Sequence, residues 1–91
     1  PANEWLAPFA YNGERSATYL SRKLADDKID DLTIRDILLV FTEMERLRTY
    51  SLKDNEPLLK LLIRRAHEIE DQSMREIAIK KLDGIIPGPV R

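Results

Sequence analysis

The sequence predicts an all-α chain, either a four-helix bundle or two stacked helical hairpins, with an irregular N-terminal arm and a flexible C-terminal tail. Three observations predict it. Apolar residues recur at helical spacing in four separate stretches, while the strict alternation of a strand persists nowhere. The stretches are separated by turn or helix-start chemistry. With 43% hydrophobic and 34% charged residues, the 91-residue chain can bury one core but not two.

Residues 1–13 form the expected arm: Trp5, Leu6, Phe9 and Tyr11 lack a helical period, and Pro8 interrupts any helix there. The helical domain spans residues 14–84. Its first helix runs from Glu14 to Asp27, after an Asn12-Gly13 turn, and sets Ala17, Leu20, Ser21 and Leu24 on one face. The second runs from Thr33 to Arg48, with Ile34, Ile37, Leu38, Phe41 and Met44 in a stripe that Val40 and Leu47 widen. A helix so apolar around its middle should touch neighbours on two sides, which makes it the central one. Thr33-Ile-Arg-Asp36 has capping-box spacing, so Thr33 is the expected N-cap.

The third helix runs from Asn55 to Glu70, capped by Asp54 or Asn55, with Pro57 in the first turn, where N–H groups lack partners anyway. Leu58, Leu59, Leu62, Ala66 and Ile69 make its apolar face. The fourth opens on Ser73-Met-Arg-Glu76, a second capping box with Ser73 as N-cap, and Gly84 is its expected stop. Residues 85–91 form a Pro/Gly tail. The expected core centres on Ile37, Leu38, Phe41, Leu58, Leu62 and Ile77.

The two box-bearing starts echo one another. Asp30-Asp-Leu-Thr-Ile-Arg-Asp-Ile37 and Glu70-Asp-Gln-Ser-Met-Arg-Glu-Ile77 align in residue class at a spacing of 40, although capping chemistry alone makes helix starts look alike. Leu32-Thr-Ile-Arg-Asp-Ile-Leu-Leu-Val-Phe41, followed by Leu58-Leu-Lys-Leu-Leu-Ile-Arg-Arg-Ala66, resembles the helical hairpins of octotricopeptide and FAST-kinase/RAP-type organellar RNA proteins. The resemblance spans roughly Asp30 to Leu82 and is carried by hydrophobic pattern. It implies RNA binding or ribosome assembly in an organelle.

Residue chemistry narrows the function classes. The net charge is −1, from 15 basic and 16 acidic residues, so the whole chain exerts no pull on polyanions. Without Cys there is neither a disulfide framework nor a thiolate metal site, and an intracellular setting (cytoplasm or organelle matrix) is expected. No apolar run approaches the length of a membrane span, and no membrane partner is expected. His67 is the sole histidine and Gly13, Gly84 and Gly88 are isolated, so neither a metal site nor a phosphate loop is expected. The acidic runs Asp26-Asp27, Asp30-Asp31 and Glu70-Asp71 fall where helix starts favour negative charge. No activated nucleophile or cofactor motif is found, and the chain reads as a non-enzyme without cofactors.

Two candidate surfaces emerge. Trp5, Phe9 and Tyr11 are aromatic anchors that either close the bundle or dock a partner. Arg64, Arg65, Lys80 and Lys81 are the candidate phosphate-binding residues, although cations late in a helix also oppose its dipole. The leading expectation is a non-catalytic protein–protein interaction or assembly module, engaging a protein partner or a second copy. Two alternatives follow: a helical-repeat RNA-binding or ribosome-associated subunit, and a helix-turn-helix DNA-binding regulator built on Ala17 to Leu38.

Overall fold

The computed structural model describes residues 6–86, and Trp5 and residues 87–91 lie outside that range. Five α-helices follow one another: α1 (Leu6–Tyr11), α2 (Glu14–Leu24), α3 (Asp31–Leu47), α4 (Glu56–His67) and α5 (Gln72–Ile85), with a 3₁₀ turn at Leu52–Asp54 before α4. No strand occurs among the described residues. The Cα radius of gyration is 12.0 Å, matching the roughly 12 Å of a single close-packed domain of this size.

The long helix α3 is the centre, as its apolar pattern predicts. Ile34, Ile37, Leu38, Val40, Phe41 and Met44 are all buried, and α3 packs against α1, α2, α4 and α5. Leu24 of α2, Leu62 of α4 and Leu82 of α5 reach the same core with no exposed surface. Leu58 is buried as expected, but Ile77 is 55% exposed; α5 turns Ala78 and Leu82 inward instead. Fourth-helix periodicity fits two faces almost equally, because Ile77, Ala78 and Ile79 are consecutive, and packing decides between them.

The starts of α3 and α5 are set by aspartates three and two residues ahead of the expected hydroxyl caps. Asp30 caps α3, accepting from the Thr33 amide at 2.9 Å and the Thr33 hydroxyl at 2.6 Å. Asp71 caps α5, accepting from the Met74 amide at 2.8 Å. A carboxylate answers both the free N–H groups and the positive helix end, so it outcompetes a hydroxyl further along. Asp36, the expected return arm of the first box, faces the Arg35 guanidinium at 3.0 Å. The capping aspartates are 41 positions apart (71 − 30), one more than the sequence echo. Asn55 caps α4 as expected.

Both ends differ from the sequence reading. The arm is helical over Leu6–Tyr11, with Leu6 and Ala10 buried against the core. Pro8 is its third residue, where the missing N–H would have had no intrahelical acceptor. At the other end α5 runs through Gly84 to Ile85, and both Ile85 and Ile86 pack on the core.

Candidate functional site

The candidate site is an aromatic face on α1 and α2, and the loop after α3 holds it in place. At the end of α3, Arg48 adopts a left-handed conformation (φ 59°), with the Arg48 amide donating to the Glu45 carbonyl and Thr49 to Met44. This Schellman-type closure normally uses Gly. It turns the chain so that the Thr49 hydroxyl donates to the Ala10 carbonyl of α1. Gly13, at φ 47°, lets the α1–α2 turn press against Thr49: a Cβ there would lie 2.5 Å from the Thr49 carbonyl oxygen. The Asn12-Gly13 turn legible in the sequence is therefore a contact point as well as a turn.

With α1 and α2 so fixed, the half-buried Phe9 ring stacks on Tyr19, centroids 6.2 Å apart and planes 30° off parallel. Tyr19 is 51% exposed and Tyr11 67% exposed. A groove of about 190 Å³ opens on the α3 side of the stack, walled by Phe9, Tyr19, Leu20, Ile37 and Val40, with Lys23 at its rim. A second depression of about 270 Å³ lies on the other side, bordered by Pro8, Asn12, Arg15 and Ser16. The first is large enough for one side chain, since a closed apolar cavity of about 150 Å³ already holds benzene.

Of the three aromatic residues singled out by sequence, Phe9 lines this groove, Tyr11 lies exposed near the end of α1, and Trp5 falls outside the described residues. Tyr19 is the residue that reading missed. Its signal was its place between Arg15 and Lys23 on the polar side of an otherwise clean amphipathic helix.

The four candidate phosphate-binding residues are not brought together as one strip. Arg65 is 5% exposed. Its guanidinium donates to the Asp26 carbonyl at 3.2 Å and faces Glu68 at 3.3 Å and Asp27 at 3.7 Å, tying α4 to the α2–α3 loop. Its Nε has no hydrogen-bond partner. Arg65 is thus an internal clamp, turned away from any phosphate. Arg64 is exposed but pairs with Glu68 at 3.1 Å. Lys80 and Lys81 are exposed on α5. A second clamp accompanies Arg65: Asp31 accepts from the amides of Glu70 and Asp71, at 3.1 and 3.3 Å, and fixes the α4–α5 link beside the start of α3.

The rest of the chemistry is sparse. His67 is exposed at the end of α4. Among the described residues no group of three or more His, Asp or Glu is gathered as metal ligands, and no helix is long and apolar enough to cross a membrane. Among the described residues, two groups are shifted from their ordinary values. The Thr33 hydroxyl and then its amide hold the Asp30 carboxyl below the usual carboxylate value, and a hydrogen bond to Glu43 raises Arg46 further. Both are solvated helix-surface arrangements. No protein-family model, curated protein or solved structure matches the chain.

Proposed function

We propose that the chain is a non-catalytic protein–protein interaction or assembly module that works inside the cell through the α1–α2 aromatic face. One observation carries the reading: an apolar groove beside a stacked aromatic pair, with Tyr19 half exposed although the core beneath it is complete. A ring that contributes little to the core yet stays ordered by stacking suits an interface anchor, because tyrosine presents a large contact area at low entropic cost.

RNA binding is the second reading, and the exposed Lys80 and Lys81 favour it. Its weight is reduced by Arg65, which is internal, and by Arg64, which is ion-paired. A DNA reading would require α3 to enter a major groove, yet its apolar stripe is the centre of the core.

The test is co-purification from native lysate at 50 and 200 mM salt, with thermal midpoints measured alongside. Tyr19→Ala should lose the protein partner at an almost unchanged midpoint, whereas Lys80→Glu/Lys81→Glu should keep it. Partner loss confined to the charge-reversed variant, and steep in salt, supports RNA instead.

A further inference from the structure

We infer that the α1–α2 groove receives an acidic amphipathic segment of a partner protein, one large apolar side chain entering the groove and carboxylates pairing with α2; this rests on the interaction-module reading above. The charge arrangement of α2 carries the inference. Arg15, Arg22 and Lys23 are all exposed, and none is ion-paired among the described residues. At 3.6 residues per turn they share an arc of about 100° with Tyr19, and Arg15 to Lys23 spans roughly 12 Å of helix.

On α4 the exposed cations have partners, Lys60 facing Glu56 at 3.0 Å and Arg64 facing Glu68 at 3.1 Å. Lys80 and Lys81 on α5, like the α2 cations, form no ion pair among the described residues, but they border neither depression beside the aromatic stack. On α2 the sole acid is Glu14, at the far end from Lys23. Across the groove, Asp36 is already engaged by Arg35 at 3.0 Å. The groove therefore has an apolar floor beside an uncompensated cationic wall, within a chain whose net charge is −1. Lys23 borders the depression on one side of the Phe9–Tyr19 stack and Arg15 the one on the other. One apolar anchor flanked by acids about two helical turns apart complements both.

A nucleic acid fits less well. Exposed Asp26 and Asp27 follow directly on α2 and close the cationic strip at about 12 Å, where a polyanion would have to continue. A wall of Phe9, Ile37 and Val40 also offers phosphate nothing.

The experiment is selection of the full 91-residue chain against a displayed library of random 16-residue peptides, followed by anisotropy measurements on the winners and on a 20-nucleotide single-stranded RNA. Enriched peptides should be rich in Asp and Glu around a single Leu, Phe or Trp. Their affinity should fall at least tenfold in Arg15→Glu/Lys23→Glu, and should be recovered there when the peptide acids are changed to Lys. Ile77→Ser, an exposed apolar residue on another helix, should leave binding unchanged. Enrichment in basic peptides, an absence of charge bias, no enrichment at all, or RNA bound more tightly than any peptide would each overturn the inference. If Tyr19→Ala still releases the lysate partner while the library shows no acidic preference, the interaction module stands and only the acidic-partner assignment fails.

Discussion

Single residues decide how α1 and α2 are held. At Gly13 an added Cβ would meet backbone, the Thr49 carbonyl at 2.5 Å, and backbone cannot swing aside like a side-chain tip. The positive φ adds its own cost for an L residue. Gly13→Ala should therefore lose about 2 kcal/mol or more in urea unfolding, and a loss below about 0.5 kcal/mol would contradict the close approach. Asp30 offers a test in pH. Its carboxylate form is held by Thr33, so its contribution to stability is present above the ordinary carboxylate value and fades as pH falls through its lower folded value. Thr33→Val removes the hydroxyl donor but keeps the amide, so the Asp30 midpoint followed by NMR should rise part of the way toward about 3.9. An unmoved midpoint would assign the shift elsewhere. That Asp30, rather than Thr33, is the cap was hidden in the sequence because both residues can cap and they stand three apart, so spacing alone could not choose.

At the scale of elements, the four long helices and the central position of α3 were legible, since a stripe of Ile34, Ile37, Leu38, Phe41 and Met44 admits one geometry. Element ends were harder. Gly84 reads as a stop, yet it lies inside α5 with open space around its missing side chain. Ile85 and Ile86 pack on the core, and that burial carries the helix past a poor helix former. Gly84→Ala should therefore stabilise the chain by about 0.5–1 kcal/mol, read as a higher urea midpoint at constant slope. A loss of stability would mean that the helix needs glycine there. Helix α1 was illegible for a different reason. Six residues are too few for periodicity, and Pro8 signals a break, although at a third helical position it breaks nothing. Arg65 failed in the opposite sense: beside Arg64 it looks like half of a cationic pair, and only the packing of α4 on the α2–α3 loop draws it inside.

At the scale of the whole molecule, two clamps each tie a helix residue to a loop 39 or 40 positions away in the chain, Arg65 to Asp26 and Asp31 to the Glu70-Asp71 turn. Together with the contact of Thr49 on Ala10 they leave a closed core and an apolar groove beside a helix face whose cations have no ion pair among the described residues. The sequence pointed to aromatic residues near the N-terminus but could not bring Tyr19 to Phe9, because that pairing depends on a turn and a clamp far along the chain. The central claim is that this face, and not another exposed apolar spot, meets the partner. The direct measurement is site-specific photocrosslinking in native lysate, with a benzophenone amino acid placed at position 19 or, separately, at position 77, whose isoleucine is equally exposed. The account predicts a discrete protein adduct from position 19 that unlabelled wild-type chain competes away, and none from position 77. A competable adduct from position 77 alone, or crosslinking to RNA from position 19, would contradict it.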